Sequence, residues 1–125
     1  MAHILIAEDE EALRGLCARA LASEGHRVEA ACDGSEALDI LSRAEDGFDL
    51  LLTDIRMPIM DGIALSLSAA RDYPDMTILL MTGYADQRER ASGLDAIIHD
   101  VIAKPFSVAS LRAAVTEALT VGARQ

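Results

Sequence analysis

Short apolar runs alternate with longer segments of helical periodicity along the whole chain. The apolar runs predict five strands, over residues 3–7, 27–31, 48–53, 77–81 and 101–103. The longer segments predict helices over 10–23, 33–43, 63–71, 86–92 and from 107 onward, of which 86–92 is mostly polar. The first run, HILIA, is too continuously apolar to have a solvated face, so we expect it inside a sheet that is covered on both sides.

Capping residues agree with these helix boundaries. Asp33 stands three residues before Glu36, which is the spacing of a helix cap. Asp61 and the residue after it form a turn signal before the third helix, and Ser107 is placed to cap the last one. The helix starts are therefore predicted from chemistry as well as from periodicity.

The order of these elements predicts the fold class. Five β-α units in succession indicate an α/β domain with a doubly wound, five-stranded parallel sheet and helices on both faces. A chain of 125 residues has the size of one domain, and no linker, repeat or low-complexity segment divides it. We therefore expect residues 1–125 to form a single domain with no output domain.

Polar side chains collect where the predicted strands end. Glu8 and Asp9 follow the first strand, Asp54 follows the third, Thr82 the fourth and Lys104 the fifth. Ligands of open α/β sheets bind at this edge, so we expect these side chains to converge. Three close carboxylates raise one another's pKa unless a cation neutralises them, and all-oxygen ligands suit Mg²⁺. Such a site is suited to a phosphoryl group.

Each of these residues has a chemical role in that hypothesis. Asp54 is the nucleophile, because a carboxylate can form a covalent aspartyl phosphate. Lys104, the only lysine among 11 basic residues, would pair with one phosphoryl oxygen. The hydroxyl of Thr82 would donate a hydrogen bond to another.

Four stretches of the sequence resemble the receiver domains of two-component response regulators, in the same order and at family spacing. They are Glu8-Asp9, residues 53–62 (TDIRMPIMDG), Met81-Thr82 and Lys104-Pro105-Phe106. The resemblance covers nearly the whole chain, and the combination is very specific. It implies a flavodoxin-like fold with strand order 2-1-3-4-5 and a cytoplasmic, bacterial signalling switch.

The resemblance also implies roles by position. Asp54 would accept a phosphoryl group from a histidine kinase or a histidine phosphotransferase. Asp9 would bind Mg²⁺ directly, Glu8 through water, and Arg56 through its backbone carbonyl. The bond between Lys104 and the proline after it is expected to be cis. Slow autodephosphorylation is expected, but not an enzyme that acts on diffusing substrates.

The chain departs from the family at one informative position. Receivers usually carry Tyr or Phe three residues before the lysine, and this chain has Val101. The usual switch of threonine plus aromatic residue cannot operate in that form, and we predict that Tyr84 takes the aromatic role beside Thr82. In this exchange of the aromatic position, the chain resembles single-domain α-proteobacterial regulators of the CpdR-like type, which include protease adaptors.

Composition excludes several other classes of function. The formal net charge of −10 disfavours binding to nucleic acid and to anionic membranes. Cys17 and Cys32 lack metal-ligand spacing, so we expect each to be a reduced, buried thiol. His3, His26 and His99 are scattered, and we expect them to have structural or surface roles.

Two rival functions on similar sheets fail on particular residues. A flavin or nucleotide binder needs a Gly- or Ser/Thr-rich phosphate loop after the first strand, where this chain has four acids, EDEE at 8–11. A phosphatase with an aspartyl nucleophile is expected to carry a second acid two residues later, where Arg56 stands.

The partners follow from the proposed switch. We expect a monomer or a phosphorylation-dependent dimer that binds a protein effector, such as a protease or its adaptor system. The alternatives are the receiver part of a DNA-binding transcriptional regulator and a phosphorelay shuttle or phosphate sink. Phosphorylation would alter the face formed by the helix predicted over 86–92, the fifth strand and the last helix. Arg88, Arg90, Asp100 and Arg112 are partner candidates on that face.

Overall fold

Nine helices and strands are assigned in the computed structural model, which describes residues 1–83, 91 and 93–123. In chain order they are β1 (His3–Ala7), α1 (Glu11–Ala22), β2 (Arg27–Ala31), α2 (Gly34–Arg43), β3 (Leu50–Asp54), α3 (Gly62–Asp72), β4 (Thr77–Thr82), β5 (Asp100–Ala103) and α4 (Val108–Ala123). The helix predicted over 86–92 lies outside the described residues except for residue 91.

The five strands form one parallel sheet in the order β2-β1-β3-β4-β5, which confirms the predicted fold and strand order. Its register aligns the carboxyl ends of the strands. Ala7 at the end of β1 pairs with Thr53 of β3, and Asp54 pairs with Met81 of β4. Thr82 then pairs with Ala103 at the end of β5. Residues directly after β1, β3, β4 and β5 therefore meet at one edge.

Alternate residues of the central strands supply an apolar core on each face of the sheet. One core contains Leu5, Leu51 and Leu80 and packs against residues of α2 and α3, among them Leu41 and Leu65. The other contains Ile6, Leu52 and Met81, and it packs against α1 and α4 through Leu21, Leu111 and Val115. Burial on both faces explains why the central strands are continuously apolar in sequence.

Side-chain caps hold the starts of α2, α3 and α4; those at Asp33 and Ser107 were predicted, and the predicted turn residue Asp61 is also a cap. The Asp33 carboxylate accepts a hydrogen bond from the Glu36 amide at 2.8 Å. The Asp61 carboxylate accepts one from the Ala64 amide at 2.8 Å, and the Ser107 hydroxyl accepts one from the Ser110 amide at 3.0 Å. These bonds satisfy amides that have no partner within their own helix.

β3 begins two residues later than predicted, because the residues before it make contacts of another kind. The ring of Phe48 stacks on His3 with ring centroids 3.9 Å apart. His3 Nδ1 is 2.8 Å from the Gly47 carbonyl, and Nε2 is 2.7 Å from the Glu29 carboxylate. These contacts fasten the loop before β3 to the amino end of β1.

The expectation for the cysteines is half right. Both are free, and Cys17 is buried in the core between α1 and the sheet. Cys32 is exposed, which corrects the prediction that it is buried. It follows the last residue of the edge strand β2, and its thiol lies beside the carboxylates of Asp33 and Glu36, each 3.7 Å away. Desolvation and, after it, these two acids raise the pKa of the Cys32 thiol.

Within residues 1–83, 91 and 93–123, no helix is both long enough and apolar enough to cross a membrane.

Candidate functional site

Backbone hydrogen bonds continue beyond the strand ends and fix the residues of the candidate site. The Glu8 amide donates to the Ala31 carbonyl of β2 at 3.0 Å, directly after β1. The Lys104 amide donates to the Thr82 carbonyl at 2.7 Å, directly after β5. Asp54 is itself the last residue of β3. Three functional side chains are therefore placed by the sheet instead of by mobile loops.

Lys104 joins the two buried carboxylates of the site. Its ammonium nitrogen Nζ lies 3.0 Å from Glu8 Oε1 and 2.9 Å from Asp54 Oδ2. The side chains of Glu8 and Asp54 are only 1% and 7% exposed, and that of Lys104 is 21% exposed. Charge-assisted hydrogen bonds in such a protected place are stronger than those at the surface. The peptide bond between Lys104 and Pro105 is cis, as predicted.

Three carboxylates form a cluster of the kind that the sequence predicts. Glu8, Asp9 and Asp54 each offer one oxygen, and these oxygens lie within 4.8 Å of one another. Glu8 and Asp54 are buried, whereas Asp9 is exposed at the rim. Lys104 supplies one positive charge against three potential negative charges, so the cluster retains negative charge. Oxygen donors with a net negative charge fit a hard divalent cation.

Burial dominates the electrostatics of Glu8. Desolvation raises the pKa of its carboxyl group to about 7, and the Asp9 and Asp54 carboxylates act in the same direction. Hydrogen bonds from the Glu10 amide and from Lys104 oppose that rise. For Lys104, burial lowers the pKa, but the hydrogen bonds to Asp54 and Glu8 outweigh it, so the net pKa is raised. Lys104 therefore remains a cation between the two acids.

The other predicted site residues stand around this centre. Thr82 is buried at the end of β4, one residue beyond Met81, the partner of Asp54 in the sheet. Arg56 follows β3 by two residues, and its side chain is exposed. Val101 is half-buried in β5 and packs against the core under α2 and α3. The Tyr84 prediction lies outside the described residues.

An open cavity of about 1170 Å³ is lined by the cluster and also by apolar side chains that the sequence analysis missed. Leu13 and Leu16 of α1, Met57 and Phe106 line it together with the acids. Leu16 belongs to the apolar face of α1, yet it is 37% exposed, because it lies at this opening and not over the core. Periodicity identifies the inner face of a helix, but it does not show which residues at the margin of that face remain uncovered.

The loop between β3 and α3, residues 55–61, contains an unusual backbone turn. The Met60 amide donates to the Pro58 carbonyl at 2.7 Å, which closes a γ-turn around Ile59. Ile59 has a φ of 68° and is 83% exposed. A β-branched residue rarely adopts positive φ, so this turn is strained.

Replacing Ile59 by glycine is expected to stabilise the domain, because glycine adopts positive φ without a steric penalty. The free energy of unfolding should rise by about 1 kcal/mol. Glycine removes the steric cost of the left-handed conformation, and its greater entropy in the unfolded chain cancels part of that gain. Urea unfolding followed by circular dichroism measures the change, and Ile59→Val serves as the β-branched control. A glycine variant no more stable than the valine variant would show that the turn carries no strain.

Gly62 is a second residue whose importance the sequence analysis missed. Its amide donates to the Ile55 carbonyl at 2.8 Å. A Cβ atom at this position would lie 1.9 Å from the backbone oxygen of Asp54 and 2.8 Å from its carbonyl carbon. Gly62 therefore allows α3 to begin in direct contact with the residue that ends β3. The sequence showed only a turn signal at this position.

Arg112 is fastened to α1 instead of standing free on the predicted partner face. Its Nε donates to the Ala20 carbonyl at 3.1 Å, and its guanidinium also donates to the Ser23 hydroxyl. These bonds secure the carboxyl end of α1 to α4. Asp100 is exposed and accepts a hydrogen bond from the amide of Val101, whereas Arg88 and Arg90 lie outside the described residues.

Comparisons with known sequences agree on one family. A family model described as the response regulator receiver domain matches residues 4–116. The response regulator MprA of Mycobacterium tuberculosis (strain ATCC 25618 / H37Rv) is 38% identical over 111 residues, which are 89% of this chain and 47% of MprA. MprA of Mycobacterium avium (strain 104) is also 38% identical over 111 residues, or 48% of its length. The chain thus spans about half the length of these curated relatives.

Solved structures give the same result. A CheY-like receiver domain protein from Methanospirillum hungatei JF-1 superposes with a TM-score of 0.90 at 30% identity, covering 99% of this chain and 98% of that one. The chemotaxis response regulator CheY4 of Vibrio cholerae matches with a TM-score of 0.85 at 27% identity, over 94% and 98% of the two chains. NtrX from Brucella abortus matches with a TM-score of 0.87 at 28% identity, over 97% of this chain but 27% of NtrX.

Proposed function

We propose, since the chain belongs to the response regulator receiver domain family, that it is a signalling switch that accepts a phosphoryl group on Asp54. One observation carries the proposal: Lys104 lies 2.9 Å from Asp54 inside a carboxylate cluster at the carboxyl edge of the sheet. The donor is a phosphorylated histidine of a kinase or phosphotransferase. The domain itself is regulatory, and slow autodephosphorylation is part of the proposal.

Asp54 supplies the accepting oxygen. A P–O bond forms on its carboxylate as the P–N bond of the phosphohistidine breaks, and the electron pair of that bond stays on the imidazole nitrogen. Lys104 donates to Asp54 Oδ2, so a phosphoryl group on Asp54 would be within reach of its ammonium. Lys104 then pairs with a phosphoryl oxygen, and the Thr82 hydroxyl donates to another.

The carboxylate cluster fits Mg²⁺. Asp9 and Asp54 would bind it directly, Glu8 through water, and Arg56 through its backbone carbonyl. Bound Mg²⁺ would offset the negative charge of the phosphoryl oxygens. The support for this assignment is the set of three carboxylate oxygens, which lie within 4.8 Å of one another, two of them on buried residues.

Incubation with Mg²⁺ and acetyl phosphate is expected to add one phosphoryl group to the intact protein. The reason is that the site already contains the accepting carboxylate of Asp54 and the ammonium group of Lys104 beside it. Intact-mass spectrometry measures the addition. The same incubation with excess EDTA should give none. Equal addition with and without the chelator would contradict the magnesium assignment, and no addition in either case would contradict phosphoryl acceptance from small donors.

The phosphorylated state acts by shifting a conformational equilibrium that a partner protein reads. Thr82 and Tyr84 are the proposed switch pair, with Val101 in the place of the usual aromatic residue. The partner is a protein effector, for which a protease or its adaptor system is one candidate, bound by a monomer or a phosphorylation-dependent dimer. A stand-alone regulator is the first arrangement that we propose for this switch.

A second arrangement has support of its own. The chain matches only 47% of the length of MprA, which favours a receiver joined to an output domain, such as one that binds DNA. The chemistry proposed for Asp54 is the same in both arrangements.

A further inference from the structure

Gly34 makes a backbone contact with Met60, in the loop that follows β3 and 26 residues further along the chain. Gly34 is the first residue of α2, and it is buried. Its amide donates to the Met60 carbonyl at 3.2 Å. A Cβ atom on Gly34 would lie 2.5 Å from that same carbonyl oxygen and 2.9 Å from Met60 Cβ and Cγ. A backbone oxygen has no rotamer by which it could move away.

This contact reaches the candidate site through a short stretch of constrained backbone. Met60 is bound to Pro58 within the γ-turn, and two residues later the Gly62 amide is bound to the Ile55 carbonyl. Between these bonds lies Arg56, whose carbonyl is a proposed Mg²⁺ ligand. The loop of residues 55–61 is thus held by Gly62 at the end of β3 and by Gly34 from the side of α2.

We propose that Gly34 is a positioning residue for the phosphoryl-accepting site. It holds the 55–61 loop, through Met60, in a position from which the Arg56 carbonyl would reach an ion bound by the Asp54 carboxylate. The inference rests on the function proposed for Asp54. It goes further because it assigns a role in that site to a residue of α2, which contributes no side chain to the cluster.

Glycine is needed at position 34 because a side chain would not fit there. Its backbone conformation is not the reason, since its φ lies outside the left-handed range. Gly25 is the opposite case and provides a matched control. It has a φ of +92°, and a Cβ atom there would meet nothing within 4 Å. Alanine at position 25 strains the backbone at the far end of α1 without touching the 55–61 loop. Both substitutions lower stability, but only the one at Gly34 moves the site.

The experiment compares wild type, Gly34→Ala and Gly25→Ala at a temperature at which circular dichroism shows all three to be folded. The amide resonances of residues 54–57 are recorded without metal, and each protein is then titrated with Mg²⁺. We expect Gly34→Ala to displace these resonances and to weaken Mg²⁺ binding by about tenfold or more, as the loss of groups that orient metal ligands does. Gly25→Ala should keep the wild-type resonances and affinity. A Gly34→Ala variant that matches Gly25→Ala in both readouts would overturn the inference.

If the Gly34→Ala variant fails to fold, a measurement on the wild type tests the same inference. In a Mg²⁺ titration of the wild type, the Gly34 amide should shift with the midpoint of the Arg56 amide, while the Gly25 amide stays constant. A Gly34 amide that does not respond would overturn the inference. Acetyl phosphate is then added to the wild type. A protein that shows the linked shifts but gains no phosphoryl group contradicts the proposed function of Asp54, while the contact between Gly34 and the loop stands.

Discussion

Asp54→Asn is expected to abolish phosphoryl acceptance while leaving the protein folded. An amide cannot supply the carboxylate oxygen that forms the P–O bond, so no other change is needed to stop the reaction. The fold should survive, because Lys104 keeps its contact with Glu8 at 3.0 Å and asparagine has nearly the shape of aspartate. Intact mass after incubation with Mg²⁺ and acetyl phosphate measures the loss.

Asp46→Asn is the matched control for this substitution. Asp46 is an exposed carboxylate in the loop after α2, outside the cavity that contains the cluster. This variant should gain one phosphoryl group at the wild-type rate. Phosphoryl addition to Asp54→Asn at that same rate would place the accepting group elsewhere.

Gly62→Ala is expected to cause the largest loss of stability among these predictions. Its Cβ would lie 1.9 Å from the Asp54 backbone oxygen, so either the start of α3 or the end of β3 has to move. Both segments are buried and hydrogen-bonded, and overpacking at such a place costs about 3 kcal/mol of unfolding free energy. Urea unfolding followed by circular dichroism at the helix band gives the value directly.

Gly15→Ala supplies the same chemical change with the opposite expected sign. Gly15 lies within α1, and a Cβ atom there would meet only the flexible guanidinium end of Arg19, at 3.0 Å. Alanine favours a helix interior over glycine by about 1 kcal/mol, so this variant should be slightly more stable than wild type. If both variants unfold at the wild-type urea concentration, the contact between Gly62 and Asp54 is not as close as described.

The sequence was sufficient to predict the convergence of the charged site. Glu8 and Asp54 lie 96 and 50 residues away from Lys104 in the chain, yet all three follow apolar runs that end at one edge. Parallel strands align their carboxyl ends, so the position of a polar residue after a strand fixes its position in the fold. The caps of α2, α3 and α4 were predictable for a related reason, because they depend on residues close in sequence.

Features that depend on contacts between distant backbones were not predictable. Neither Gly34 nor Gly62 differs in sequence from a glycine of an ordinary turn, and only the assembled fold shows which carbonyl each one meets. Local preference even argued against the turn at Ile59, since β-branched residues avoid positive φ. Here the closing hydrogen bond and the surrounding contacts override the preference of the side chain.

Exposure at the margins of elements was the other source of error. Cys32 and Leu16 are apolar enough to suggest burial, but Cys32 follows an edge strand and Leu16 borders the open cavity. A residue's hydrophobicity gives its tendency to be covered. Whether a neighbouring element is present to cover it is decided by the topology.

Direct location of the phosphoryl group is the sharpest test of the proposed chemistry. The phosphorylated protein is treated with borohydride, which reduces an aspartyl phosphate to homoserine, and then cleaved after arginine to release residues 44–56. We expect fragmentation of this peptide to place homoserine at Asp54 alone, with Asp46 and Asp49 unchanged. Homoserine at either of those positions, or a phosphoryl group retained on a histidine, would contradict the assignment of Asp54 as the phosphoryl acceptor.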